Sequence, residues 1–195
     1  MRRAEVERKT NETVIKVELV LEGSGKCKVK TGRPFFDHLI RSFVFHSRFD
    51  LDLIGEEIVI VDDHHLVEDV GLVLGQALEK ALGAKKGINR FGSAIVPMDD
   101  TLVMAAVDLS GRSHFDTNLE FKYHKVGDMS SEMINHFLES MAKAGHFNLH
   151  VFAFRGINDH HKAEATFKAV GRSLAEAVRI VGSDRNVVPS LKGMI

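Results

Sequence analysis

Two segments constrain this chain more than any others. Asp62-Asp63-His64-His65-Leu66-Val67-Glu68-Asp69 and Asn158-Asp159-His160-His161-Lys162-Ala163-Glu164-Ala165 each carry a histidine pair followed by a glutamate. Each segment opens a run of helical periodicity. A helix turns about 100° per residue, so His64 shares a face with Glu68, and His160 with Glu164. His65 and His161 diverge from that face. One His–Glu pair can therefore grip one metal ion while the adjacent histidine reaches toward another.

The surroundings repeat as well. A shift of 96 residues aligns His64 with His160, His65 with His161, Glu68 with Glu164, Gly75 with Gly171 and Leu78 with Leu174. A shift of 98 aligns Asp37-His38-Leu39 with Asn135-His136-Phe137, and Phe49-Asp50-Leu51 with Phe147-Asn148-Leu149. This pattern reads as an internal duplication of a β-β-α-β-α unit. The expected fold class is α+β. Two half-domains, residues 1–86 and 87–195, would form one integrated catalytic domain about a pseudo-twofold axis, with two mixed β-sheets enclosing a four-helix layer.

Along the first half, Thr13 to Leu21 alternates as a strand. Glu22-Gly23-Ser24-Gly25 then turns into a short strand at Lys26 to Lys30, together a hairpin. After Pro34, apolar residues from Phe35 to His46 recur at helical spacing. Phe49, Leu51 and Leu53 alternate as a strand, and Ile58 to Val61 reads as another. Asp62 or Asp63 is placed to cap the helix that ends at Gly83. The second half shows strands at Ala94 to Pro97, Thr101 to Leu109 and His114 to Phe121. A helix over Ser130 to Ala144, a strand over Phe147 to Phe154 and a long helix from Asp159 to about Val181 follow.

Composition narrows the function classes. A formal net charge of −1, with no block of like charges, argues against nucleic-acid or membrane-surface binding driven by bulk charge. The single cysteine, Cys27, rules out an intrachain disulfide framework. The N-terminus has no apolar run after its basic residues, and no stretch approaches the ~20 apolar residues of a membrane span. A cytoplasmic location is expected. Histidines are the unusual component, eleven in all; His114 and His124 read as ordinary surface or hydrogen-bonding residues.

The duplicated ligand set is His38, His64, His65 and Glu68, with His136, His160, His161 and Glu164. Symmetry divides it into four ligands per ion, leaving open positions for substrate on an octahedral metal. Whether one chain or neighbouring subunits supply all the ligands stays open. So does the metal, since imidazole and carboxylate accept zinc, iron, nickel or manganese. Asp63, Asp69 and Asp159 are candidates to orient the histidines, or simply helix caps. Arg90, Arg112, Lys168, Ser190 and Lys192 would together suit a phosphate dianion, although spacing does not bring them together.

Several of these pieces resemble the imidazoleglycerol-phosphate dehydratase family. They are Arg8-Lys9-Thr10-Asn11-Glu12-Thr13, Phe36-Asp37-His38-Leu39, both histidine-pair segments, and Gly87-Ile88-Asn89-Arg90-Phe91-Gly92. Pro97-Met98-Asp99-Asp100, Asp108-Leu109-Ser110-Gly111-Arg112 and Pro189-Ser190-Leu191-Lys192-Gly193 match as well. The resemblance implies a hydro-lyase of histidine biosynthesis that converts imidazoleglycerol phosphate to imidazole acetol phosphate. It implies two Mn2+ ions per site, which bind the substrate ring as imidazolate. One ion would take His38, His65, His160 and Glu164; the other would take His64, Glu68, His136 and His161. Glu12 would be the acid/base on the substrate, with Glu68 and Glu164 in the catalytic centre. Arg90, Arg112, Lys168, Ser190 and Lys192 would form the phosphate pocket, with His46 nearby and His38 also against the substrate. The sites would lie at subunit interfaces of a homo-oligomer of twenty-four chains built from trimers. Pro34 and Ser47 stand where glycine is usual, and Ser42 stands at a usual glutamine. Those departures bear on the helix start and the phosphate side rather than on the metal set. A dimetal hydrolase of phosphoesters and a metal-glued scaffold are the alternatives.

Overall fold

Ala4 and Val6 are buried while Arg3, Glu5 and Glu7 face solvent, so the charged N-terminal stretch is a strand. The computed structural model describes residues 1–182 and 186–195. The first half runs β1 (Arg3–Lys9), β2 (Thr13–Val20), β3 (Cys27–Lys30), α1 (Pro34–Ser47), β4 (Asp50–Glu57) and α2 (His64–Leu82). The second runs β5 (Phe91–Met98), β6 (Thr101–Asp108), β7 (His114–Thr117), β8 (Lys125–Val126), β9 (Met129–Ser130), α3 (Glu132–Ala144), β10 (Asn148–Arg155) and α4 (Asp159–Val178). The first half thus holds one strand more than the β-β-α-β-α order, and the second three more, two of them the short β8 and β9.

The two main sheets have the same plan. One is ordered β1-β2-β4-β3 and the other β5-β6-β10-β7, each with a single parallel pair at one edge. Their registers coincide. Arg3 lies opposite Val20, and Phe91 opposite Asp108, a shift of 88 on both strands. Val20 lies opposite Asp50, and Asp108 opposite Asn148, so the shift has grown to 98 by the last strand. The difference of ten residues is an insertion between β7 and α3, and the β8–β9 hairpin is what fills it. A one-residue slip would turn every inward side chain outward, so matching registers carry the duplication strongly.

Four helices fill the space between the sheets. α2 packs on β1 and β2, α4 packs on β5 and β6, and the halves meet where α1 crosses α4 and α2 crosses α3. Phe36, Phe137 and Phe167 join the halves at the centre, with ring centroids 5.3 Å apart in both pairs and all three side chains buried. Gly75 and Gly171 explain themselves here. A Cβ on Gly75 would strike the carbonyl of Met141, and one on Gly171 would strike that of Phe43. Each pseudo-equivalent helix pair therefore approaches too closely for any side chain.

Two expected elements are corrected. β2 and β3 do not pair as a hairpin, because β4 lies between them. The Asp50 carboxylate accepts the N–H groups of Ser24 and Lys26, both at 2.8 Å, and so carries the connection across the start of β4. Ile58 to Val61 is not a strand. These side chains are exposed, Ile60 at 74%, so the segment has no buried face to hold it in a sheet. The strand at His114 ends at Thr117 and the last helix at Val178, both short of expectation. Pro34 starts α1 cleanly at its first turn. That helix is capped from the other half, because the Asp128 carboxylate in the β8–β9 turn accepts the Phe35 N–H at 2.8 Å. No helix among the described residues is long and apolar enough to cross a membrane.

Candidate metal centre

Local capping sets the start of each histidine-bearing helix. Asn158 accepts the N–H groups of His160 and His161, at 2.9 and 3.3 Å. At α2 the corresponding role falls to Asp62, which accepts the His64 N–H at 2.8 Å. Asp63 instead takes the backbone and hydroxyl of Ser130. The adjacent histidines are then splayed, with His64 and His65 rings at 83° and His160 and His161 at 88°.

Two three-ligand clusters result, each built across the halves. His38 on α1 joins His160 and Glu164 on α4; His136 on α3 joins His64 and Glu68 on α2. In the first, the Nε2 atoms of His38 and His160 lie 3.1 and 3.2 Å from Glu164 Oε2. In the second, His136 Nε2 lies 3.3 Å from Glu68 Oε1, and His64 Nε2 lies 4.0 Å from Glu68 Oε2. All ligand atoms of a cluster fall within 4.8 Å of one another, which suits one cation. His136 Nε2 is buried and makes no hydrogen bond, though it lies beside the Glu68 carboxylate of its own cluster. The donor sets therefore fit a divalent metal, with imidazole nitrogens and one carboxylate each.

His65 and His161 join neither cluster of their own chain. Their Nδ1 atoms face acids on the β1–β2 and β5–β6 turns. Glu12 Oε2 lies 3.5 Å from His65, and Asp100 Oδ1 lies 2.6 Å from His161. Asp100 is held well below the usual carboxylate range by that histidine and by the N–H groups of Asn158 and Ile157. His161 Nε2 meets Asp99 Oδ2 at 3.5 Å, whereas His65 Nε2 faces no acid of its own chain among the described residues. Asp100 was not legible as a site residue. Its sequence signals are its place in Pro97-Met98-Asp99-Asp100 and its position 88 residues after Glu12, the shift that relates the turns.

The three aspartates that could orient the histidines or cap the helices do neither with their side chains. Asp63 bonds Ser130, Asp69 bonds Arg8 and Thr13, and Asp159 bonds Lys162 and the Tyr123 N–H. Adjacency in sequence put them beside the ligands, but helix geometry turns them away.

The phosphate candidates divide into two groups. Arg90, Arg112, Ser190 and Lys192 line one cavity of about 260 Å³. Arg90 grips Asp108 with two N–H groups, at 2.7 and 3.2 Å, and donates to the Pro189 carbonyl, which ties the C-terminal segment into that cavity. Lys168 lies apart from them, 2.8 Å from Glu164 Oε1. Burial would raise the Glu164 pKa, but Lys168 and His38 outweigh it and draw it down to about 2. His46 is depressed by burial and by the charges of Lys168 and Arg172. Lys168 and His46 thus flank the first cluster.

Two clusters of histidine and glutamate on a duplicated α+β frame suit a metal-dependent class of enzyme, with one carboxylate in each cluster. A model of the family described as imidazoleglycerol-phosphate dehydratase matches residues 31–174. The chain is similar to the imidazoleglycerol-phosphate dehydratase of Caldicellulosiruptor bescii, 47% identical over 192 residues covering 98% of this chain and 97% of that one. It is 46% identical to that of Bacillus subtilis over the full length of both. The crystal structure of the Staphylococcus aureus enzyme superposes with a TM-score of 0.82 at 31% identity, covering 92% of this chain and 99% of that one. The Pyrococcus furiosus structure gives 0.84 at 31%, covering 97% and 100%. The chain belongs to the imidazoleglycerol-phosphate dehydratase family and is a hydro-lyase.

Proposed function

We propose that this chain dehydrates imidazoleglycerol phosphate to imidazole acetol phosphate in the cytoplasmic synthesis of histidine. Two Mn2+ ions would be shared between subunits of a homo-oligomer of twenty-four chains. The observation that carries the subunit-shared site is that each cluster has three ligands while His65 and His161 point away from both. Transferring His65 of one chain to the His38–His160–Glu164 cluster of another, and His161 to the His64–Glu68–His136 cluster, completes four ligands on each ion. The half-exposed or exposed histidines of both clusters suit completion from outside.

Bound there, the two ions would supply Lewis-acid charge at the substrate ring nitrogens and hydroxyl, favouring an imidazolate-like ring. The chain's own groups do the rest. Arg90, Arg112, Ser190 and Lys192 hold the phosphate, with Lys168 brought to them from a neighbouring subunit, so that binding energy remote from the reacting carbons positions them. Glu12, exposed beside His65, moves the proton from the second carbon of the side chain, while the hydroxyl leaves from the carbon attached to the ring. The departing hydroxyl takes up a proton as water, and the resulting enol becomes the ketone. The reading needs no nucleic-acid or membrane partner.

The test is to chelate the protein, then add manganese and zinc back separately with imidazoleglycerol phosphate. Ketone appearing with manganese is expected. No ketone with either metal would sink the dehydratase reading, whereas ketone with zinc alone would move the metal assignment.

A further inference from the structure

The pseudo-twofold places the turn that carries Glu12 on the turn that carries Asp100, and the two are held by different means. In the second half Asp100 is itself the fastener. Its carboxylate accepts the N–H groups of Ile157 and Asn158, at 2.5 and 3.0 Å, and meets His161. An acid so occupied has little freedom left to reach a substrate.

In the first half another residue does the fastening. Asp69 on α2 is buried, and its carboxylate receives the Arg8 Nε at 2.7 Å and the Thr13 hydroxyl. The Thr13 hydroxyl lies 3.3 Å from that of Thr10, whose oxygen accepts the N–H groups of Glu12 and Thr13 at 3.1 and 2.9 Å. An unbroken path therefore runs from α2 through Thr13 and Thr10 to the Glu12 backbone. Its anchor sits four residues after His65 and one after Glu68.

The duplication provides the control. Thr13 corresponds to Thr101, but the shifts put Met98 at the place of Thr10 and Ala165 at that of Asp69. With no carboxylate to meet it, the Thr101 hydroxyl is buried and has no partner. An unpaired buried hydroxyl is costly, so the clamp is a property of one half alone.

We propose that Asp69 is a positioning residue, which through Thr13 and Thr10 fixes the Glu12 turn on the metal-bearing helix and so leaves the Glu12 carboxylate free to work. The inference rests on the acid/base role given to Glu12. Positional errors near 1 Å can cost about a hundredfold in rate, and loosening this turn acts through such errors.

The test compares Thr13→Val, Asp69→Asn, Thr101→Val and Glu12→Gln in the manganese-loaded protein. Thr13→Val is expected to lower kcat about tenfold to a hundredfold, with KM, metal content and oligomeric state kept. Asp69→Asn should follow it, and Thr101→Val should leave all four readings unchanged. In the Glu12→Gln background, Thr13→Val should cost nothing further, because its effect passes through Glu12. An unchanged kcat in Thr13→Val overturns the proposal. So does a loss of metal or assembly that accounts for the fall, or a full further loss in the double variant. If Glu12→Gln alone keeps its kcat, the acid/base assignment fails instead, and the single Thr13→Val result shows whether the clamp matters for another reason.

Discussion

The two metal clusters have the same shape and different electrostatics. Glu164 is buried and pairs with Lys168 at 2.8 Å, while Glu68 is half-exposed and faces only the histidines of its cluster among the described residues. The shift of 96 puts Leu72 where Lys168 stands in the other half. Duplication thus preserved the ligand geometry, which a metal demands, and released the surroundings, which a substrate can shape. One cluster acquired a neighbouring cation, Lys168, that the other lacks. The turns diverged in the same way, one acid fastened by backbone N–H groups and the other facing only His65 among the described residues.

The largest expected effect tests whether the clusters are equal partners. His160→Ala and His64→Ala should each abolish turnover and remove one manganese per chain, measured by elemental analysis of the purified protein. A silent result at either histidine would break the symmetry of the pair. Next comes the difference between the turns. Glu12→Gln should lower kcat by about a hundredfold or more with full metal content, whereas Asp100→Ala should weaken manganese affinity about tenfold to a hundredfold, with turnover recovering at saturating metal. Metal titrations followed by activity would separate the two, and equal phenotypes would erase the proposed division.

Smaller effects probe the frame. Gly75→Ala and Gly171→Ala each push a methyl into a backbone carbonyl of the facing helix, at about 1–3 kcal/mol of stability. Thermal melting should show similar losses for both, because the crossings are pseudo-equivalent. Asp128→Ala should cost about 1 kcal/mol, the loss of a helix cap, with little effect on turnover. Only the second half carries that hairpin, so the first half offers no matching variant.

Much of the frame was legible because helical faces are local. His64 with Glu68, His160 with Glu164, and the apolar stripes of α1 and α3 follow from residues within a few positions of one another. β1 escaped notice because only Ala4 and Val6 mark its inner face among charged neighbours. Ile58 to Val61 misled for the opposite reason, being apolar and β-branched yet left without a partner strand. The supposed β2–β3 hairpin failed because turn residues do not say which strand will slide between.

By itself, then, the sequence determined which ligands share a helix face, how many there are, and that the set occurs twice. Those facts depend on a rotation of about 100° per residue and on nothing farther away. Only the tertiary structure decided that His38 serves α4 and His136 serves α2, since helices from different halves had to cross at Gly171 and Gly75 to bring them there. It also decided that Thr13 meets a carboxylate while Thr101 meets none. Long-range packing chooses partners among chemically equal candidates, and local periodicity carries no record of that choice.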